Sequence, residues 1–430
     1  MNQVEINTYP EKIYVEITTR CNLHCRMCVK YAAGSTIVDE DLPLAVFQNL
    51  TPALSRAKTL ILNGIGEPLL HPDLIEIIRL AKTSMPPGAT IGFQTNGFLL
   101  DEQKSLELVA AGLNTVCLSL DSLEESPFRN GEHSVAAVSR ALKHLSAARH
   151  LLAFGLRLGL EMVLTRENIR NLPQFIRWAG DHGADFFIAT HLLHYDRATE
   201  GSGLFNPNPP EAIQLFDTYR ERAAALGTDL SDCLATYLRF RKTATEQKAS
   251  QLFLDLLQEA RTRNIQLHLP SLLEHANTDP RVKEEGFADA RVMAERYGLE
   301  LFLPENEALS ERVCPFIADR AVFIAANGSV MPCHFLWHTY ACRMFGEDVE
   351  VPERSFGNIR ETPLGSIWHH PEYRQFRDEA GRYDYAPCWT CSMGPCAALV
   401  KDKGLFANDC YGSQVPCGHC QWSLGGIRCL

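Results

Sequence analysis

The sequence lacks a long apolar run and lacks an excess of positive charge. In its 430 residues no hydrophobic stretch approaches the roughly 18 residues of a membrane-spanning helix, so we expect no membrane anchor. The net charge of −11 argues against a nucleic acid as the main partner, because proteins that bind nucleic acids usually present a basic surface. The first residues, MNQVEINTYPEK, lack the basic start and apolar core of a secretory signal, so we expect a cytoplasmic protein.

Cysteine, by contrast, is abundant, with 15 in the chain. The cytoplasm is reducing, so a disulfide framework is not expected there, and metal binding or catalysis becomes the leading explanation. Three cysteines fall in the run CNLHCRMC, at 21–28, and ten lie between Cys314 and Cys429. Cys117 and Cys233 stand alone, and we expect them to be core residues.

Residues 12 to 191 alternate between short apolar runs and amphipathic stretches. This pattern is typical of repeated strand and helix units around a parallel sheet. Six such units predict an α/β fold, a partial (β/α)6 TIM-like barrel whose chemistry lies at the carboxyl ends of the strands. The predicted strands lie near 12–19, 59–64, 90–95, 114–120, 156–164 and 185–191, with predicted helices at 42–57, 71–84, 101–112, 135–150 and 171–183.

The composition predicts three regions. The barrel is expected over residues 1–205, a helical extension and linker over 206–311, and a cysteine-rich domain over 312–430. Within the extension, IQLHLP at 265–270 is a candidate for a further strand. The stretch 271–311 is charged, has no clear period and is predicted to be a linker or a variable insert.

The cysteine run has the spacing C-x3-C-x2-C, formed by Cys21, Cys25 and Cys28 on a loop leaving the first predicted strand. Three thiolates can hold three irons of a [4Fe-4S] cluster and leave the fourth iron open. A structural zinc site, the competing reading, needs four ligands. The run resembles the signature of radical S-adenosylmethionine (SAM) enzymes. The resemblance implies that the open iron holds SAM and that one electron splits it into methionine and a 5′-deoxyadenosyl radical, which makes these cysteines catalytic.

A second motif, LILNGIGEPLLHPDL, ends the second predicted strand with Gly64, Gly66 and Glu67. Glycines let a backbone approach a ligand, and a carboxylate can pair with an ammonium group. The alternative is a tight turn with a solvated glutamate. The motif is similar to the glycine–glutamate motif of the same family, which implies contact with the amino group of SAM.

Polar residues also end the later predicted strands. The third strand ends in FQTNG at 93–97, and the fourth in LSLDS at 118–122. Hydroxyls, amides and carboxylates suit a ribose and an amino acid, although such residues are ordinary turn formers too. The resemblance implies SAM contacts by Thr95, Asn96, Ser119, Asp121 and, on the fifth strand, Glu161.

In the C-terminal region, Cys314 and Cys333 flank an apolar run and an Asn-Gly pair at Asn327 and Gly328. The pair predicts a hairpin that brings the two cysteines close together. Two closed clusters need eight thiolates, and this region offers ten. Zinc binding is the alternative, because the CxxC pairs of this region also have the spacing of a zinc ribbon.

This region resembles a SPASM domain, the auxiliary-cluster extension of many radical SAM enzymes. The spacing departs from the family pattern after Cys391, and Cys342 fits no part of it. Cys342 is then either a buried inert thiol or, as a hypothesis, a hydrogen-atom donor or acceptor. The resemblance implies two auxiliary [4Fe-4S] clusters and the ligands Cys314, Cys333, Cys388, Cys391, Cys396, Cys410, Cys417, Cys420 and Cys429.

The resemblances together predict a radical SAM oxidoreductase or maturase, closest in pattern to the maturases associated with tungsten-cofactor oxidoreductases. They imply a peptide or partner metalloprotein as substrate and ferredoxin or flavodoxin as reductant. Two alternatives stay open at this point. One is a small-molecule radical SAM dehydrogenase or epimerase, and the other is a non-catalytic iron-sulfur or zinc protein that carries electrons or serves as a scaffold.

Overall fold

The computed structural model describes residues 9–123, 134–276, 281–344, 346–390 and 409–430. Within these ranges the chain forms one sheet of nine strands and a separate two-stranded hairpin. The sheet strands are β1 (Lys12–Val15), β2 (Thr59–Leu62), β3 (Thr90–Thr95), β4 (Thr115–Ser119), β5 (Arg157–Leu164), β6 (Phe186–His191), β7 (Glu300–Phe302), β8 (Ala321–Ile324) and β9 (Val330–Met331), and the hairpin is β10 (Tyr340–Met344) with β11 (Glu347–Val351).

Neighbours in the sheet follow the order β7-β6-β5-β4-β3-β2-β1-β8-β9. Every pair is parallel except β8 with β9. Parallel strands are covered on both faces, which explains their nearly continuous apolar runs. Ile13 and Val15 of β1, for example, are fully buried. The predicted α/β fold with a mostly parallel sheet is confirmed.

The helices that connect the strands pack their apolar faces against the sheet. In the third helix, Leu74, Ile77, Ile78 and Ala81 are buried at the spacing of one helical face. The helices are α1 (Leu44–Phe47), α2 (Thr51–Leu54), α3 (Leu74–Ser84), α4 (Glu102–Ala111), α5 (Ser134–Leu152), α6 (Leu172–Asp181), α7 (Pro210–Ala225), α8 (Leu230–Tyr237), α9 (Ala244–Thr262), α10 (Leu269–Ala276), α11 (Arg281–Tyr297), α12 (Pro315–Ala318), α13 (Leu364–His369) and α14 (Pro371–Arg382).

The region after the sixth strand differs in part from its prediction. Helices α7 to α9 lie in the region predicted as a helical extension and enclose a small apolar core of their own. The strand predicted at 265–270 is wrong, because the chain there enters α10. The stretch predicted as a linker instead holds α11 and β7, and β7 pairs with β6 in the barrel sheet.

The C-terminal region contributes to the same sheet. β8 pairs with β1, and the predicted Asn-Gly hairpin between β8 and β9 is confirmed. Gly328 has a φ of 86°, a left-handed conformation that glycine adopts without strain. The predicted six-stranded barrel is therefore extended by three strands from outside its expected boundary.

The segment 421–430 lies between β6 and β1. The backbone N–H of His191 donates to the Gly426 carbonyl at 3.1 Å, and the Tyr14 hydroxyl donates to the Leu430 carbonyl, also at 3.1 Å. This segment therefore contacts strands from both sides of the barrel interior. No helix in the described part of the chain is long and apolar enough to cross a membrane.

Candidate active site

The loop formed by Cys21–Cys28, here called the cysteine loop, follows β1 at the carboxyl edge of the sheet. Its thiols lie near one another. Burial raises the pKa of Cys28 to about 11, and the thiols of Cys25 and Cys21 contribute to this rise. The three sulfurs therefore share one small region of space, as the spacing predicted.

Contacts with neighbouring strands hold the cysteine loop in place. The Arg20 guanidinium donates to the Leu70 carbonyl at 2.8 Å and pairs with Asp41 at 2.7 Å. Within the loop, the Asn22 side-chain oxygen accepts a hydrogen bond from the Asn96 amide at 2.9 Å. The end of β3 therefore orients the loop directly.

The two glycines of the second motif are required by the chain itself. A Cβ atom on Gly66 would lie 2.7 Å from the Arg20 carbonyl oxygen and closer still to that of Thr18. A Cβ atom on Gly64 would meet the side chain of Glu16. In the described structure, these glycines thus allow the turn after β2 to approach the segment that leads into the cysteine loop.

Glu67 is a buried brace between strand ends. Its carboxylate, 2% exposed, accepts hydrogen bonds from the Leu69 N–H at 3.1 Å, the Thr95 hydroxyl at 2.7 Å and the Asn96 N–H at 2.9 Å. Its backbone N–H donates to the Arg20 carbonyl at 2.7 Å. Glu67 therefore fixes the end of β3 and the start of the cysteine loop together. Its predicted pairing with the SAM amino group stays a prediction.

The ends of β4 and β5 continue the same polar surface. Gln94 donates to the Ser119 hydroxyl at 3.1 Å, and Asp121 accepts from the Val163 N–H at 2.9 Å. Burial raises the pKa of Glu161 to about 8, the Gln94 hydrogen bond lowers it and the Asp121 charge raises it. The Glu161 Oε2 atom is buried and has no hydrogen-bond partner within the described structure. The structure therefore brings the predicted residues of β2 to β5 together, and the raised pKa favours the protonated form of Glu161 at neutral pH.

Four cysteines of the C-terminal region, here called the four-cysteine group, also lie together. Burial raises the pKa of Cys417, and the thiols of Cys420, Cys333 and Cys314 raise it further. Burial also raises the pKa of Cys333, and the thiols of Cys420 and Cys314 raise it further. The β8–β9 hairpin thus brings Cys314 and Cys333 close, as predicted, and the segment around Cys417 completes the group.

The remaining predicted ligands lie in different places. A Cβ atom on Gly418 would lie 2.5 Å from the Cys388 sulfur, so Cys388 closely approaches the four-cysteine group. Cys410 is exposed. The predictions for Cys391 and Cys396 lie outside the described residues.

Cys429 lies inside the barrel. Its sulfur accepts a hydrogen bond from the Trp422 indole N–H at 3.4 Å. Burial and then the Glu161 charge raise the pKa of Cys429 to about 12, and Lys12 lowers it. The contacts given for Cys429 in the described structure are with Trp422, Glu161 and Lys12, and its role as a cluster ligand stays a prediction.

The other cysteines are buried. Cys117 and Cys233 are fully buried, which confirms the prediction that they are core residues. Burial raises the pKa of Cys342 to about 12, and this thiol lies near Tyr195 and Tyr340. Its suggested role in hydrogen-atom transfer stays a hypothesis.

Two functional candidates were missed from the sequence, Glu16 and His338. Glu16 is fully buried and accepts hydrogen bonds from the Ile65 N–H at 2.9 Å and from His338 at 3.0 Å. Burial alone would lower the pKa of His338, but the hydrogen bond and charge of Glu16 raise it overall. The sequence signal that could have identified them is a carboxylate inside the apolar run KIYVEITT, because a buried charge needs a partner.

The residues of the cysteine loop suit an iron-sulfur cluster. Among the described residues, no three His, Cys, Asp or Glu side chains converge closely enough to hold one metal ion. Three thiolates, each binding a different iron, are the donor set that a [4Fe-4S] cluster with one open iron requires.

Comparison with known families agrees with this geometry. Residues 15–179 match the radical SAM superfamily, and residues 314–392 match SPASM, an iron-sulfur cluster-binding domain. The chain carries a radical SAM domain followed by a SPASM domain. It is therefore an enzyme, and its cofactors are iron-sulfur clusters and SAM, as predicted. The alternative of a non-catalytic scaffold is set aside.

Named relatives differ in how much of their length this chain matches. The chain is 26% identical to the tungsten-containing aldehyde ferredoxin oxidoreductase cofactor-modifying protein of Pyrococcus furiosus, over 97% of this chain and 96% of that protein. It is 33% identical to the GTP 3′,8-cyclase of Chlorobaculum tepidum, over 50% of this chain and 64% of the cyclase. It is 30% identical to the mycofactocin maturase of Mycobacterium tuberculosis, over 47% of this chain and 50% of the maturase. The second and third relatives are thus matched over only part of their length.

Solved structures share the fold. The crystal structure of Streptococcus suis SuiB bound to SAM superimposes with a TM-score of 0.50 over 90% of this chain and 71% of SuiB, at 12% sequence identity. At this identity the likeness concerns the fold alone. It supports the mostly parallel α/β fold described above.

Proposed function

We propose that this chain reductively cleaves SAM at the cysteine loop and abstracts a hydrogen atom from a peptide or from a cofactor-bearing partner protein, as a maturase. The observation that carries the proposal is the convergence of the Cys21, Cys25 and Cys28 thiols at the carboxyl edge of the sheet. Beside them lie the polar ends of β2 to β5. With its cofactors bound, such a site supplies a 5′-deoxyadenosyl radical.

Within this proposal, the chain positions SAM and excludes water from it. Gly64, Gly66 and Glu67 shape the wall next to the cysteine loop. Thr95 and Asn96 extend this wall, Ser119 and Asp121 offer oxygen acceptors, and the protonated Glu161 can donate a hydrogen bond into the barrel. The cofactor-binding residues proposed are Gly64, Gly66, Glu67, Thr95, Asn96, Ser119, Asp121 and Glu161.

For the C-terminal domain we propose two auxiliary clusters. The four-cysteine group provides four buried thiols, the number that a closed cluster requires. If Cys429 is left out because it lies inside the barrel, four predicted ligands remain for the second cluster. They are Cys388, Cys391, Cys396 and Cys410.

The substrate class is proposed from the relatives. The relative from Pyrococcus furiosus is named a cofactor-modifying protein, and others are named a peptide cyclase and a maturase. These names favour a peptide or a cofactor-bearing protein as substrate, whereas the GTP 3′,8-cyclase, named for a small-molecule substrate, is matched over 64% of its length. A small reduced protein such as ferredoxin or flavodoxin is the proposed electron donor, in the cytoplasm.

The test is an anaerobic preparation of the full chain, analysed for iron and sulfide and then incubated with SAM and a strong reductant. Three cubane clusters predict about twelve irons per chain and 5′-deoxyadenosine as a product. The triple variant Cys21→Ala, Cys25→Ala, Cys28→Ala should lose about four irons and all 5′-deoxyadenosine formation.

The matched control is Cys233→Ala, which removes a buried thiol on α8, away from the proposed site. It should retain both the iron and the product. Stoichiometric zinc without 5′-deoxyadenosine, or unchanged turnover in the triple variant, would contradict the proposal.

A further inference from the structure

A cavity of about 650 Å³ lies beside the carboxyl ends of β5 and β6. All three regions of the chain contribute to it: the loops after β5 and β6, helices α10 and α11, the β10–β11 hairpin and Gln421. None of the residues proposed to contact SAM lines it. We call it the polar cavity. Its volume lies within the roughly 300 to 1,000 Å³ typical of small-molecule sites.

Lys283, at the start of α11, is an unusually buried cation in the wall of the polar cavity. It is 9% exposed, and its ammonium contacts only the Leu204 carbonyl at 3.3 Å and the Glu307 carboxylate at 3.4 Å in the described structure. Burial lowers the pKa of Lys283 overall, although the charge and hydrogen bond of Glu307 raise it, and the neighbouring Arg166 lowers it further. Both contacts are long for an ammonium with three donors. A bound anion would complete its environment.

Gln421 provides a second, independent observation. It lines the polar cavity and is 3% exposed. Its Oε1 atom is buried and has no hydrogen-bond partner within the described structure. Buried amides are nearly always hydrogen-bonded, so an unbonded amide oxygen in a cavity wall indicates a ligand. The amide can present either its N–H groups or its oxygen to that ligand.

Two arginines reach the same space and are held in position. Arg166 donates from Nε to the Gly203 carbonyl at 2.8 Å and pairs with Glu274. Arg343 pairs with Asp348 at 2.9 Å. A guanidinium has five N–H donors in a rigid plane, so these contacts fix Arg166 while leaving donors for a ligand.

The side chains that line the polar cavity are mostly cationic. The lining has four cationic side chains, Arg166, Arg170, Lys283 and Arg343, against two carboxylates, Glu167 and Glu274. Glu307 and Asp348, outside the lining, pair with Lys283 and Arg343 and balance the total charge of the region. The groups that face a ligand are therefore richer in N–H donors than in carboxylates.

We propose that the polar cavity binds a small molecule that carries a phosphate or diphosphate group. Phosphate oxygens match both the point charge of Lys283 and the planar fork of Arg166, and such charge-assisted hydrogen bonds are among the strongest. The cavity has the size of a small ligand, whereas an acidic peptide would need an extended groove. The inference depends on the proposed function in one respect: the proposed function makes this molecule the substrate, or the reactive part of a larger substrate.

The test is isothermal titration calorimetry of the anaerobic full-chain holoenzyme with pyrophosphate as the probe, at low ionic strength. We expect one saturable site per chain and at least about tenfold weaker binding in Lys283→Met and in Arg166→Gln. Lys283→Met keeps the length of the side chain and removes a buried charge. Should it fail to fold, Arg166→Gln, whose side chain is partly exposed, still decides the question. Arg79→Gln, which removes an exposed arginine paired with Glu76 on α3, is the matched control and should bind like wild type.

Pyrophosphate binding that is absent, or unchanged in both variants, would overturn the inference. So would saturable binding of a glutamate-rich peptide that pyrophosphate does not displace. Formation of 5′-deoxyadenosine is measured separately on the same preparations. Enzyme that makes this product without binding pyrophosphate contradicts only the phosphate site, and enzyme that binds pyrophosphate without making the product contradicts only the proposed function.

Discussion

Glu161 faces the barrel interior with one carboxylate oxygen that no described group bonds. An ionised carboxylate in this position would be strongly disfavoured, and the proton it retains is the consequence. The charge of Asp121 also opposes the ionisation of Glu161, and burial together with the Glu161 charge raises the pKa of Cys429 to about 12. The interior next to the proposed SAM site therefore disfavours additional negative charge.

This protonation makes the stability of the protein pH-dependent. The pKa of Glu161 rises from 4.5 to about 8 on folding, so the stabilisation is complete below pH 4.5 and is lost as the pH rises towards 8. Relative to Glu161→Gln, the free energy of unfolding of wild type should fall by up to about 1.4 kcal/mol per pH unit in that window. Melting temperatures of both proteins between pH 5 and pH 9 measure the difference. Glu295→Gln, on the exposed side of α11, is the control, and parallel profiles for wild type and Glu161→Gln would contradict the assignment.

Residue types at the site could be predicted from the sequence, whereas their bonding could not. Glu67 was identified from its motif, but its role as a brace depends on Thr95 and Asn96, which only the pairing of β2 with β3 brings next to it. Cys429 was grouped with the other cysteines by spacing. Its position inside the barrel results from the path of the segment 421–430, for which the sequence has no local signal.

At the scale of elements, the segment after β1 and the turn after β2 are in direct backbone contact. Gly66 makes this possible, because any side chain there would meet the Thr18 and Arg20 carbonyls. Backbone atoms cannot move aside as a flexible side chain can. The geometry of the cysteine loop therefore depends on a residue that contributes no side chain.

Gly66→Ala should displace the cysteine loop. We expect destabilisation of about 1 to 3 kcal/mol, as for other overpacked sites, together with loss of about four irons per chain from the loop's cluster. Gly155→Ala is the matched control, because a Cβ atom there meets nothing within 4 Å. Melting temperature and iron content of the two variants are compared. Full iron content in Gly66→Ala would show that the loop tolerates the added methyl group.

Long periodic elements were predictable, and short ones defined by distant partners were not. Strands β1 to β6 and helices α3 to α6 follow apolar patterns that the sequence displays clearly. β7 has only three residues in a charged stretch, and it is a strand because β6 offers it an edge. IQLHLP alternates like a strand, but its last residues enter α10.

For the whole molecule, the buried pair of Glu16 and His338 links the barrel to the C-terminal domain. Glu16 follows β1 and His338 precedes β10, and the Ala326 N–H also donates to Glu16 at 3.3 Å. A fully buried carboxylate depends on these partners. The pair is therefore expected to stabilise the association of the two domains.

The pair also predicts a second pH dependence. The pKa of His338 is raised above 6.5 on folding, so its stabilisation is complete below pH 6.5 and is lost as the pH rises through the higher folded value. The stability advantage of wild type over His338→Gln should accordingly be larger at pH 6 than at pH 8.5. Melting temperatures at both values test this. His150→Gln, an exposed histidine on α5, should behave like wild type, and a constant difference between wild type and His338→Gln would rule out the charged pair.

The position of β1 between β2 and β8 has a consequence for how the protein is made. Glu11 and Arg320, which pair at the start of these strands, lie 309 residues apart along the chain. During synthesis, β1 and the cysteine loop therefore leave the ribosome long before β8, the strand that pairs with the other edge of β1. Throughout that interval the nascent chain presents an unpaired edge, which favours aggregation, and contacts this distant in sequence form slowly. Slow synthesis at low temperature, with iron supplied from the start, should therefore increase the yield of correctly assembled enzyme.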